Sequence, residues 1–153
     1  MDLNAIMVAT DFSESACAAF DAAKTLSRPF GAKIILLHVI NERRVEVLSE
    51  YLKVEPESLI PGLRERAQEE LEAFIKHCDP ESLAIESMIT VGAPFQQIAV
   101  LARELAVDLV VLGGYGKRAR APLEDLFFGA TAEKVVRLLP CPILCVPLLE
   151  GEK

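Results

Sequence analysis

Leu109, Val110, Val111 and Leu112 run without interruption into Gly113, Gly114, Tyr115 and Gly116. An unbroken apolar run closed by glycines reads as a short strand buried on both faces, the kind found inside a parallel sheet. That constrains the rest of the chain, because parallel strands are joined by crossovers of a dozen or more residues, usually helices. The same kind of run recurs at residues 6–9, 33–39 and 143–146. Between the first two, Ala16, Ala19, Phe20, Ala23 and Leu26 recur at helical spacing; Ser13 or Ser15 can cap that helix and Gly31 can stop it. The first forty residues therefore read strand, helix, strand.

Residues 41–61 carry a weaker signal. Val45, Leu48 and Leu52 suggest a short helix, and Pro56 and Pro61 punctuate the segment. From Leu63 onward, Leu63, Ala67, Leu71, Phe74, Ile75 and Cys78 mark one helix face, with Glu72 and Lys76 paired on its exposed side and Asp79-Pro80 ending it. Leu83, Ile85, Ser87 and Ile89 alternate with Ala84, Glu86 and Met88, as in a half-exposed edge strand. Gly92-Ala93-Pro94 opens a further helix with the stripe Phe95, Ile98, Leu101, Ala102 and Leu105. A last helix over 132–139 precedes strand 143–146, which Pro142 and Pro147 bracket as proline permits at an edge. Five strands with helices between them make an α/β fold, a three-layer open parallel five-stranded sheet, and 153 residues fit one domain. Ligands of such sheets bind outside the carboxyl ends of the strands, where strand order reverses. Asp11, Val39 and residues 113–116 all fall at such ends.

The net charge of -7 argues against nucleic acid or an anionic membrane as partner. Lys117, Arg118 and Arg120 are a local exception. With the glycines before them and a helix start beyond, they suggest an anion site, against the plainer reading of a basic surface loop. No apolar run approaches the roughly 18 residues of a membrane span. The first residues lack the cationic and apolar regions of a secretory signal, so a cytoplasmic protein is expected. Cys17, Cys78, Cys141 and Cys145 match no zinc spacing, and a chain of this size needs no disulfide staples, so they read as buried thiols. Residues 114–119 fit G-x-G-x-x-G/A only formally, since the Arg-Ala-Arg-Ala-Pro run is a poor helix start; there is no Walker A sequence and no nucleophile elbow. His38, inside an apolar strand, and His77, in a helix's last turn, read as structural. Asp11 either caps the first helix or accepts a hydrogen bond from a ligand, and the sequence leaves both open.

In combination, VATDFSE, LLHVI, VGAPFQQI, DLVVLGGYG and FGATAEKVVRLLPCPILCVP resemble the universal stress protein family over nearly the whole chain. The resemblance implies a single-domain, adenine-nucleotide-binding α-hydrolase-like fold, with a flavodoxin/Rossmann-like sheet of order 3-2-1-4-5. It also implies a cytoplasmic homodimer and a ligand that is ATP or another adenine nucleotide, with or without Mg2+. Nucleotide-binding members of the family carry G-x2-G-x9-G-[S/T]. Carried over residue by residue, Asp11 (with Thr10 beside it) and Val39 fall at the base and ribose. Gly113, preceded by Leu112, and Gly116 fall at the phosphates, with Gly129 as the third glycine. This chain has twelve residues between Gly116 and Gly129, and Ala130 where the pattern has a hydroxyl. A lost hydrogen bond to a charged group costs about 1.5–3 kcal/mol; Thr131, Lys117, Arg118 and Arg120 are the groups able to offset it. The expected function is a dimeric stress-response switch or binding module that also meets an unknown protein partner. The alternatives are a member acting through protein contacts only and a slow ATP hydrolase. The homodimer is expected through the last strand, Cys141 to Pro147, whose apolar edge invites pairing.

Overall fold

The buried runs become adjacent parallel strands. In the computed structural model, which describes residues 2–78, 85–114, 137–138 and 141–147, β1 (Ala5–Ala9) is buried along its whole length. It pairs in parallel with β2 (Lys33–Asn41) on one side and β4 (Leu109–Gly113) on the other. β3 (Ile85–Gly92) and β5 (Ile143–Val146) form the edges, giving the order β3-β2-β1-β4-β5. This is the expected Rossmann-like arrangement, and strand order reverses between β1 and β4.

Alternation along the strands builds three layers. Ile6, Val8, Ile34, Leu36 and Val111 face one side, packing with Phe20 of α1 (Glu14–Ser27) and Leu71 and Phe74 of α3 (Pro56–Cys78). Met7, Ile35, Leu37, Val110 and Leu112 face the other, against Ile98 and Ala102 of α4 (Pro94–Glu104). Each such large side chain contributes roughly 1.5–3 kcal/mol when fully buried. After α1, a 3-10 turn at Arg28–Phe30 ends on Gly31, whose φ of 64° needs the missing Cβ.

The short helix expected from Val45, Leu48 and Leu52 is present as α2 (Glu42–Leu52). Other expectations change. α3 begins at Pro56 rather than Leu63. Pro61 lies inside α3, where it forfeits the bond to the Glu57 carbonyl. Ile60 and Leu63 on either side pack against Ile40, Val45 and Ala67, so tertiary burial outweighs the local break. Leu105 falls beyond the end of α4 and is 39% exposed. Glu72 accepts from Gln68 rather than pairing with Lys76, as exposed ion pairs worth about 0–1 kcal/mol do not hold one geometry. Finally, Cys17 and Cys78 are joined in a disulfide, while Cys141 and Cys145 are free. The bridge spans 61 residues, and chain spacing carries no record of two helices packing side by side. Of the last expected helix, Arg137 and Leu138 are described and both are helical; Asp79-Pro80, Leu83 and Ala84 lie outside the described residues. No described helix is long and apolar enough to cross a membrane.

Candidate functional site

The site begins where the β1–β2 ladder breaks. Thr10 N–H donates to the Leu37 carbonyl at 2.9 Å. The next step of a parallel ladder would bond Val39 N–H to the Thr10 carbonyl and Phe12 N–H to the Val39 carbonyl. Instead Phe12 N–H turns back onto Thr10 Oγ1 at 2.9 Å, and His38 Nδ1 bonds the Thr10 carbonyl at 2.8 Å. A carbonyl only accepts, so Nδ1 carries the proton. The main chain of Val39 on its β1 side is left without a partner among the described residues.

The same turn gives Phe12 a φ of 68°, uncommon for a bulky side chain. Its ring stacks on His38 with centroids 4.3 Å apart and meets Phe74 at 5.9 Å. Asp11 Oδ1 accepts the Ser13 N–H at 3.0 Å, and Ser13 Oγ accepts the Ala16 N–H at 3.2 Å. Ser13 is therefore the helix cap, and Asp11 braces the turn with one oxygen; its Oδ2 has no hydrogen bond among the described residues. Asp11, Phe12, His38 and Val39 line a cavity of about 230 Å³, walled by α2 at Arg44 and by α3 at Arg66 and Glu70. Arg66 Nε and Glu70 Oε1 stand 3.3 Å apart on the rim.

The end of β4 is built differently. A Cβ on Gly113 would lie 2.8 Å from both the carbonyl carbon and the oxygen of Ser15, so the strand end is pressed onto the main chain of α1. Gly114 N–H then donates to the Val146 carbonyl at 2.8 Å, tying β4 to β5. Ser15 Oγ, on the helix turn against which Gly113 packs, is buried and has no hydrogen-bond partner among the described residues. At the opposite end of the sheet Asp108 Oδ2 accepts from Asn4 and Ala5 N–H at 2.8 and 3.0 Å.

Thr10, Asp11, Val39, Leu112 and Gly113 thus lie at the carboxyl ends of three adjacent strands. Thr10 and Leu112 are 3% and 2% exposed, and neither they nor Gly113 line the cavity. Gly116, Lys117, Arg118, Arg120, Gly129, Ala130 and Thr131 lie outside the described residues. His38 is hydrogen-bonded as a structural residue and also lines the cavity. Phe12, Arg44, Arg66 and Glu70 escaped sequence reading. The four-residue spacing of Arg66 and Glu70 was their only signal, and it marks many solvated helices. No group of three or more His, Cys, Asp or Glu side chains among the described residues is placed to hold a metal ion.

The family model described as the universal stress protein family matches residues 3–147. Universal stress protein MJ0577 of Methanocaldococcus jannaschii is 28% identical over 153 residues, covering 92% of this chain and 93% of that protein. Universal stress protein YxiE of Bacillus subtilis is 30% identical over 148 residues, covering 94% and 98%. The solved structure of MJ0577 has a TM-score of 0.76 over 99% of this chain and 100% of that one. A family protein from Arabidopsis thaliana, solved with AMP bound, shares the fold at a TM-score of 0.60 and 18% identity, over 97% and 94% of the two chains. A match from the first strand to the last, on a sheet of the expected order, establishes that this chain belongs to the universal stress protein family.

Proposed function

We propose that the chain binds an adenine nucleotide at the carboxyl ends of β1, β2 and β4 and works as a dimeric stress-response switch or binding module. The broken ladder at Thr10 carries this reading. Among the described residues the Val39 N–H and C=O toward β1 have no partner, a donor and an acceptor of the kind the edge of an adenine base requires, and Asp11 Oδ2, on the same cavity, has none either. These are the positions that the family resemblance assigns to base and ribose. AMP in the Arabidopsis relative supports the ligand class. The phosphates then fall to the β4 side, to Gly113, Gly116, Gly129, Ala130 and Thr131, with Lys117, Arg118 and Arg120 supplying charge. β5 is an edge strand with Leu144 37% exposed, and pairing with a second copy of itself would cover it.

Calorimetric titration of AMP, ADP and ATP at two salt concentrations tests the reading. Affinity should tighten from AMP to ATP and weaken with salt, because exposed charges are screened within about 8–10 Å at physiological ionic strength. Replacing Lys117, Arg118 and Arg120 together by alanine should flatten both trends. No binding by the wild type at millimolar ATP would overturn the proposal. A monomeric mass in light scattering would overturn the dimer.

A further inference from the structure

Cys17 stands in the first turn of α1, and Cys78 is the last residue of α3. Their Cα atoms are 5.7 Å apart, within the span of a disulfide, and the two are bonded. Nucleotide binding as proposed does not use this bridge, yet the bridge bears on the cavity. α3 walls the cavity through Arg66 and Glu70, and Cys78 lies about two turns further along the same helix. Phe74, one turn before Cys78, meets the ring of Phe12 that lines the cavity. The remaining polar ties between α1 and the end of α3 include Lys24 Nζ on the Cys78 carbonyl at 2.7 Å. They also include His77 Nε2 at 4.0 Å from Glu14 Oε1, a pair largely in water. Opening the bridge leaves the end of α3 held by the packing of Leu71, Phe74 and Ile75 and by polar contacts, and the slack falls on the helix that walls the cavity.

We propose that Cys17–Cys78 is a reversible thiol–disulfide site whose state sets how firmly α3 closes the cavity, with a small dithiol and its cyclic disulfide as reactants. Cys17 is half-buried and Cys78 only 6% exposed, so the incoming thiolate attacks the Cys17 sulfur. A mixed disulfide forms at Cys17, and the Cys78 thiolate leaves and takes up a proton. The reagent's second thiol, losing its proton, attacks the reagent sulfur of the mixed disulfide. Cys17 is released as a thiol, and the reagent departs as a cyclic disulfide. Two electrons and two protons pass to the protein, and the reverse sequence closes the bridge. Lys24 Nζ is held at the Cys78 carbonyl at 2.7 Å and paired with Asp21 Oδ1 at 3.2 Å, so a polar group borders the residue whose thiolate departs. Only the effect on ligand affinity rests on the nucleotide reading; the thiol chemistry and the loosening of α3 stand apart from it.

The test equilibrates the full chain in mixtures of reduced and oxidised dithiothreitol, quenches in acid, and labels with a maleimide under denaturant before mass measurement. Denaturant is needed because burial, and at Cys141 also the charge of Asp108, pushes the Cys141 and Cys145 thiols up in pKa. The oxidised end should carry two labels, on Cys141 and Cys145, and the reduced end four, with one reversible transition between them. Hydrogen exchange over residues 63–78 should be about tenfold faster in the reduced chain, with β1 and β4 unchanged. Cys17→Ser should carry three labels and show the faster exchange of the reduced chain in either buffer. AMP affinity should fall about five- to tenfold on reduction. A bridge that never opens, or never re-forms, overturns the site. Equal exchange in both states overturns its coupling to α3. Equal AMP affinity in both states overturns the regulation, whereas absent binding in both overturns the nucleotide reading and leaves the thiol site to the labelling and exchange results.

Discussion

The carboxyl ends of β1 and β4 meet at one switch point and are built on opposite principles. At β1 the turn is braced by short polar side chains: Thr10 Oγ1, Asp11 Oδ1 and Ser13 Oγ each accept a main-chain N–H two or three residues on. The brace is strong enough to hold Phe12 at a φ of 68°. At β4 the turn depends on what is absent, since Gly113 meets the Ser15 main chain where any Cβ would overlap it. A braced end loses about 1 kcal/mol for each brace removed. A contact-limited end tolerates no added atom, because main chain cannot swing aside as a flexible side chain does.

The sharpest way to break this contrast is Gly113→Ala. Its Cβ would sit 2.8 Å from main-chain atoms of Ser15, so the substitution should cost about 2–3 kcal/mol and lower the melting temperature of the ligand-free chain by roughly 5–10 °C. A shift within a degree or two would mean that β4 and α1 separate freely. Thr10→Val comes next. It leaves the Phe12 N–H without its acceptor, for about 1–2 kcal/mol by urea unfolding, and lets that N–H turn toward the Val39 carbonyl. Nucleotide affinity should fall along with stability, and Thr10→Ser should restore both; an unchanged urea midpoint for the valine variant would remove the brace from the account.

Ser15→Ala should act in the other direction. The hydroxyl is buried without a partner among the described residues, and alanine is the better helix former, so a gain of about 0.5–1 kcal/mol is expected. If stability rises while ATP affinity drops, the Ser15 hydroxyl serves the ligand and the β4 end is more than a packing contact. Asp11→Asn should give the smallest change in stability, below about 0.5 kcal/mol, because asparagine keeps an oxygen for the Ser13 N–H. Its effect should appear in calorimetry as a loss of roughly tenfold in nucleotide affinity. Unchanged affinity would leave Asp11 as a brace alone.

The sequence by itself determined the strands, most of the helices and the ends of the sheet at which a site can form. Those signals are local: two-sided apolar runs, helical spacing, a capping serine, a glycine able to take a positive φ. The family resemblance added the strand order, which the structure bears out. Reading failed where a contact between distant segments decided the outcome. α3 runs through Pro61 because Ile60 and Leu63 bury against Ile40 and Val45, and Cys17 reaches Cys78 because α1 and α3 pack together. The two roles open to Asp11 share one sequence signature, and only the structure showed its Oδ1 on the Ser13 N–H, beside the helix cap rather than as the cap. It also decided that the β1 side of the Val39 main chain has no partner among the described residues. That outcome depends on whether the Phe12 N–H pairs with Thr10 Oγ1 or with the Val39 carbonyl, and so on a left-handed φ that a phenylalanine does not announce. Packing on His38 and Phe74 holds it there.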